Sequence, residues 1–422
     1  MTSTIENLMK RFADLSVNLG KTSLSNIYRR LVQTPPGPFL QSVNRWIHTN
    51  PVSTLVYGFF WSFILIVLSP FIGWCLYFQT LFKSVDSSLR FLLGIRMKDC
   101  EGQTLSAKEE KVNSKKELAV CITGCDSGFG RDLSFALSER GFTVFAGCLT
   151  EDGLLQYQDV PSIFPLKMDV TKENDTTKSF DVISKWLSDP SAKLQRFLHA
   201  LINNAGLGTA GLIDWIEISD FQRDMEVNYF GMVRVIKTFL PILKAQACAA
   251  IHVNARIINV VSMAGLISNS GVSAYHASKH AAEAFSTSLR LELKSFNLAV
   301  VTVNPSFHKT PLVDHDTLSR KFKQLWDSIG QDLQCQYGKE YYDHFCNTIV
   351  ENTTCLLWDA NVVIDKLISC VELVIPPPQV VVGTDAKFFL LGLRHLPVWV
   401  QDAILNMRPG QVPPASMVNG KA

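Results

Sequence analysis

Leu118-Ala-Val-Cys-Ile122 is an apolar run of the length of one buried parallel strand. It enters Thr123-Gly-Cys-Asp-Ser-Gly-Phe-Gly130, which passes straight into the helix-like stretch Arg131-Asp-Leu-Ser-Phe-Ala-Leu-Ser-Glu-Arg140. Strand, glycine turn and helix in that order leave few folds open. Glycines at 124, 128 and 130 give the turn its φ freedom and let backbone approach a pyrophosphate. The helix N-terminus behind them offers free N–H groups and the positive end of its dipole. Gly124, Ser127, Gly128, Phe129 and Gly130 are therefore candidate contacts for a dinucleotide. A glycine-rich turn alone is weak evidence; here the surrounding strand and helix supply the context it needs.

Further strand-like runs follow at Phe142-Thr-Val-Phe-Ala-Gly-Cys148, Phe164-Pro-Leu-Lys-Met-Asp-Val170 and Leu198-His-Ala-Leu-Ile-Asn-Asn-Ala-Gly206. Arg256-Ile-Ile-Asn-Val-Val-Ser262 is another, ending in a serine. Downstream stands Ser273-Ala-Tyr-His-Ala-Ser-Lys279, whose Tyr275 and Lys279 are one helical turn apart on a shared face. A free phenol has a pKa of about 10, so it needs a cationic neighbour to exchange protons near neutrality. The ammonium of Lys279 is expected to favour the ionised form of Tyr275. Ser262 is expected to hold a substrate oxygen against that phenol. Such a set removes a proton from an alcohol while hydride leaves its carbon.

Thr123–Gly130, Asp169, Asn203-Asn-Ala-Gly206, Asn228, Ser262, Tyr275 and Lys279, in this order, resemble the short-chain dehydrogenase/reductases. The finer resemblance is to the branch of retinol dehydrogenases, type 2 hydroxysteroid dehydrogenases and D-β-hydroxybutyrate dehydrogenase. It is carried by Ile122-Thr-Gly-Cys-Asp-Ser-Gly-Phe-Gly130, Phe145-Ala-Gly-Cys-Leu-Thr150, Tyr337-Gly-Lys-Glu-Tyr-Tyr342 and Gly383-Thr-Asp-Ala-Lys-Phe-Phe389. The resemblance covers roughly Lys116 to Arg408. It implies that Asn203 and Ala205 close over the adenine side, that Asp169 accepts from the adenine amino group, and that Val170 packs on the ring. Asp169 has a second reading, as a cap for the helix beginning Thr171-Lys-Glu. Asn228 would hold a water in a proton relay with Lys279, or else be an exposed helical asparagine. Lys279 and Tyr275 would also contact the nicotinamide ribose, and Pro305 the nicotinamide. The family's usual Pro-Gly is here Pro305-Ser306, and serine lacks glycine's tolerance of positive φ.

The motif order implies one α/β catalytic domain: a Rossmann-type doubly wound parallel sheet with an N-terminal membrane segment and a C-terminal helical substrate lid. The expected divisions are a tail with an amphipathic helix at 1–52, a transmembrane or re-entrant segment at 53–82, and a charged linker at 83–116. The dinucleotide-binding catalytic domain takes 117–312, and the lid and tail 313–422. Ser53 to Phe82 holds no charged residue, and a bilayer core needs only about 20 apolar helical residues. Pro70 near its middle predicts a kink or a hairpin. At the start of the chain, Ile5, Leu8, Met9, Phe12, Leu15 and Leu19 keep helical spacing. Lys83, Arg90, Arg96 and Lys98 follow the membrane stretch, against Arg45 just before it. This bias directs the enzyme to the cytosolic side. The endoplasmic reticulum membrane is the expected location, a mitochondrial membrane the alternative.

A formal charge of +2 excludes an argument for nucleic acid. Ten scattered cysteines and nine histidines lack ligand spacing, so no metal is expected and the thiols are read as free. Glu151 and Asp152 just beyond the second strand would repel a 2′-phosphate, which favours NAD over NADP. The apolar residues from Leu312 onward, among them Leu325, Trp326, Leu390 and Trp399, suit a lipophilic alcohol or its ketone or aldehyde, a retinoid or a steroid. Two alternatives remain: a short hydroxy acid held by His308 or Lys309, and a catalytically idle, membrane-tethered lipid-binding scaffold. Expected partners are the membrane and this small substrate, with a homodimer as one option for assembly.

Overall fold

The computed structural model describes residues 116–249, 255–311, 314–355, 357–405 and 412–418. The expected amphipathic helix, the uncharged stretch 53–82 and the linker up to residue 115 lie outside the described residues. Among the described residues, no helix is long and apolar enough to cross a membrane.

Seven parallel strands form one sheet in the order β3-β2-β1-β4-β5-β6-β7. They are β1 Lys116–Thr123, β2 Thr143–Cys148, β3 Ile163–Lys167, β4 Gln195–Asn203, β5 Arg256–Val260, β6 Ala299–Pro305 and β7 Gln379–Val382. The order reverses between β1 and β4, and a doubly wound sheet opens its ligand crevice at that switch point. The α-helices of seven residues or more among the described residues are α1 Gly128–Glu139, α2 Glu173–Leu187, α3 Ile218–Met225, α4 Met232–Ala249, α5 Ser273–Glu292, α6 His315–Ser328, α7 Gln331–Tyr337, α8 Lys339–Cys355, α9 Asn361–Glu372 and α10 Val398–Leu405. A π-helical turn, Glu226–Gly231, joins α3 to α4.

Alternation along each strand builds two cores. Val120, Ile122, Val144 and Ala146 face Leu133 and Leu137 of α1 and Val363 and Leu367 of α9. Ala119, Cys121 and Phe145 point the other way, to Ile183 of α2, Val235 and Phe239 of α4, and Ala282 and Leu289 of α5. Burial on both faces explains why β1 reads as a continuous apolar run rather than an alternating one. Residues 313–422 are not a lid alone, because they contribute the edge strand β7 and the covering helix α9.

Arg256 is almost wholly buried at the start of β5 and donates to the carbonyls of Cys370 (2.9 Å) and Leu373 (2.7 Å). His199 Nε2 lies 2.8 Å from the Val371 carbonyl. Together they satisfy the carbonyls at the C-terminus of α9, where a cation also matches the helix dipole. Burial brings the Arg256 guanidinium down to about 10, still charged at neutral pH. Arg256→Met should lower stability by about 2–4 kcal/mol, because the carbonyls stay buried without donors. A thermal melt matching the wild type would contradict that role.

Candidate active site

The C-terminal ends of β1, β4, β5 and β6 open into a cavity of about 650 Å³. Gly124 (φ +70°) and Gly128 (φ +58°) carry the chain out of β1 in the left-handed region. A Cβ on Gly124 would stand 2.7 Å from the Ala205 Cα. Gly130 packs instead of lining the cavity, since a Cβ there would run into the Gly124 carbonyl oxygen and the Asn204 side chain. Ser127 precedes α1 without a side-chain cap, and the first turn of α1 has no acid. Its leading N–H groups are thus left for a ligand, and the end suits a phosphate.

The Asn-Asn pair after β4 divides its work differently from expectation. Asn203 lies in the sheet, where its amide donates to Asn259 Oδ1 at 2.8 Å, and it does not line the cavity. Asn204 faces the turn and donates to the carbonyls of Thr123 and Gly124, both at 3.0 Å. Neighbouring residues on extended backbone point opposite ways, so one step in register exchanges core for cavity. The Thr123 hydroxyl accepts from the amides of Asn204 (3.1 Å) and Ala205 (3.0 Å), locking the two loops together.

Asp126 was not singled out by sequence. Its carboxylate accepts from the Leu149 and Thr150 amides, each at 2.8 Å, and from the Thr150 hydroxyl at 2.6 Å. An acid thus stands at the end of β2, although Cys148 occupies the strand end itself. Glu151, expected to act there, is instead paired with Lys167 at 2.7 Å on the surface. Asp169 lines the cavity beside Val170, and its Oδ1 accepts from the Thr171 amide and hydroxyl. Burial works to raise the Asp169 carboxyl, but Thr171 and Lys172 outweigh it and hold the group below its ordinary value. Asp169 does not cap α2, whose N-cap position is Lys172.

At the opposite end, β5 delivers Ser262, which accepts from the Ala264 amide at 3.1 Å and begins a short 3₁₀ turn. Gly265 in that turn lets it press on α5, for a Cβ there would stand 2.7 Å from the Lys279 carbonyl oxygen. The Ser262 hydroxyl hydrogen-bonds the Tyr275 phenol of the same helix. Burial raises the Tyr275 phenol, the Ser262 hydroxyl draws it down, and Asp224 pushes it up. Lys279 Nζ lies 5.7 Å from the centre of the Tyr275 ring and donates to the Val260 carbonyl at 3.3 Å. Lys279 thus sits over the ring face, and the Ser262 hydroxyl is the hydrogen-bonding neighbour that draws the phenol down. Burial brings Lys279 itself down to about 8, opposed by Asp224.

Asn228 lies in the π-helical turn, a form that often marks functional positions. It is not an exposed asparagine. Its oxygen accepts from the Leu207 amide (2.9 Å), and its amide donates to the Leu207 carbonyl and the Ser278 hydroxyl, both at 2.8 Å. Pro305, Ser306, His308 and Thr310 line the cavity. Among the described residues Asn297 is the non-glycine with positive φ, so Ser306 suffers no strain in glycine's usual place. Its hydroxyl bonds to Asp385, which also accepts from the Trp358 indole at 2.8 Å. Lys309 is exposed and does not line the cavity. Of the C-terminal apolar residues, Trp326 packs edge-on against Trp215 in a separate core, Trp399 is exposed, and Leu390 lines the cavity.

A sequence profile of the short chain dehydrogenase family matches residues 118–320. Retinol dehydrogenase 7 of Mus musculus is 31% identical over 309 residues, spanning 72% of this chain and 93% of that protein. 17-beta-hydroxysteroid dehydrogenase type 6 of Bos taurus is 33% identical over 302 residues, spanning 71% and 90%. The chain belongs to the short-chain dehydrogenase/reductases. Within that family it falls in the retinol and hydroxysteroid dehydrogenase branch, and it is an NAD(P)-dependent enzyme. The short-chain dehydrogenase shares its fold with solved relatives. The short chain dehydrogenase/reductase from Burkholderia phymatum in complex with NAD gives a TM-score of 0.54 at 20% identity, covering 71% of this chain and 98% of that one. The enzyme from Burkholderia cenocepacia in complex with NADP gives 0.51 at 22%, covering 69% and 99%. The uncapped start of α1 and the glycine cradle of this dehydrogenase fit a dinucleotide pyrophosphate.

Proposed function

We propose that this chain is a membrane-anchored oxidoreductase that interconverts a lipophilic alcohol, a retinoid or steroid, with its carbonyl using NAD(H). The observation that carries the reading is one cavity lined at one end by the glycine turn and at the other by Ser262, Tyr275 and Lys279. A bound nicotinamide would accept or supply the hydride. Ser262 orients the substrate oxygen, Tyr275 takes or returns its proton, and Lys279 holds positive charge over the phenol ring.

Ile267, Leu318, Ile349, Leu390 and Leu405 supply apolar wall for the substrate. Among the described residues, Lys279 is the one lysine or arginine on that wall, and burial lowers His308 so that it stays neutral. This favours a lipophilic alcohol over a hydroxy acid, whose carboxylate needs a cationic partner. The Asp126 carboxylate at the end of β2 would repel a 2′-phosphate, which supports NAD over NADP. Relatives named for retinol and hydroxysteroid agree with the substrate class, and the uncharged stretch 53–82 supports the anchor.

The test is NADH fluorescence from the full chain in membranes, given all-trans-retinol, estradiol or 3-hydroxybutyrate, with NAD or NADP. Turnover of retinol or estradiol, faster with NAD by about tenfold or more, is the expected result. Turnover of 3-hydroxybutyrate alone, or of none while lipid still binds, would sink the reading.

A further inference from the structure

Asp224 is a wholly buried carboxylate on α3 with no part in the chemistry above. One of its oxygens accepts from the Thr209 amide at 3.0 Å and the other from the Thr209 hydroxyl at 2.7 Å. Two donors, one on each oxygen, suit the ionised form. One turn further along the same helical stretch, Asn228 grips both the amide and the carbonyl of Leu207. Gly208 is thus tied down on both sides. It lies flat on the Tyr275 ring, where a Cβ would stand 3.1 Å from the Tyr275 Cδ2.

We propose that Asp224 is a positioning residue for Tyr275: with Asn228 it staples the Leu207–Thr209 segment against the phenol ring, and it keeps a fixed negative charge behind the Tyr275–Lys279 pair. The assignment rests on the oxidoreductase reading and adds to it. Burial raises the Asp224 carboxyl, against the two Thr209 hydrogen bonds and Arg223, with Asp220 pushing the same way as burial. Arg223 is shared, since it donates to the Thr209 hydroxyl at 3.0 Å and pairs with Asp220 at 2.8 Å. From α5 the facing groups are Tyr275 and Lys279, and Asp224 raises the proton affinity of both.

The charge and the staple separate in two variants. Asp224→Asn removes the charge, and Thr209→Val removes the hydroxyl tether while leaving the carboxylate. Alcohol oxidation needs the ionised phenol, so its rate rises with pH through the Tyr275 titration. In Asp224→Asn that rising limb should move to lower pH, with NADH affinity within about twofold of wild type. In Thr209→Val the limb should hold its place while kcat falls about fivefold. Wild-type turnover with an unmoved limb in Asp224→Asn overturns this assignment and leaves the oxidoreductase reading intact. Absence of turnover in the wild type overturns both. Should Asp224→Asn be recovered unfolded, Thr209→Val decides: a kcat within about twofold of wild type overturns the staple.

Discussion

Tyr275→Phe is expected to reduce turnover by about 10²–10⁴-fold, the range for a positioned acid–base group, while NADH binding stays near the wild-type value. The ring, its contact with Gly208 and its place on α5 survive the change; the one lost group is the hydroxyl beside Ser262. The pH dependence should change with it. In the wild type, burial, opposed by Ser262 and aided by Asp224, holds the phenol above its ordinary value. Oxidation needs the phenol ionised, so its rate climbs toward alkaline pH. Carbonyl reduction needs it protonated and falls over the same range. Steady-state rates in both directions across pH check this, and both limbs should vanish in Tyr275→Phe. Equal loss of NADH binding and turnover would instead mean that the residue builds the cavity and does not work in it.

Gly130→Ala should be the most damaging single methyl in the described fold. The added carbon has nowhere to go, because it meets the backbone oxygen of Gly124 as well as the Asn204 side chain. Backbone cannot swing aside as a flexible side chain can, so the start of α1 must part from the glycine turn. A stability loss of about 3 kcal/mol is expected, together with a drop in NADH affinity of at least about tenfold. Gly141→Ala is the control: φ is +87° there, but nothing lies within 4 Å of the new carbon. Its cost should be about 1–2 kcal/mol, the strain of left-handed backbone alone, with NADH affinity unchanged. Melting curves and NADH titrations of the pair decide the matter, and equal behaviour would remove the packing argument.

The strand–turn–helix around Gly124, the one-turn spacing of Tyr275 and Lys279, and Ser262 at a strand end were legible because each is a local pattern. Backbone periodicity fixes which neighbours share a face within a few residues. For Asn203 and Asn204 the local pattern is too coarse: it marks a pair, and only the end of β4 decides which member turns toward the cavity. Asp126 is not legible in the sequence because its partners, Leu149 and Thr150, come from the loop just after the next strand. The edge strand β7 went unread, since Gln379-Val-Val-Val382 is a short apolar run that becomes a strand only when β6 lies alongside it.

From its residues alone this chain determined that a parallel sheet would bear a glycine turn, a serine and a tyrosine–lysine pair in series. Folding decided the energetics of that set. It put Lys279 over the face of the phenol and Ser262 beside its hydroxyl, and it brought the buried Asp224 up behind both. Hydrogen-bonding register and burial depend on segments far apart in the chain, and proton affinity follows burial and through-space charge. Those quantities exist only once the segments have packed.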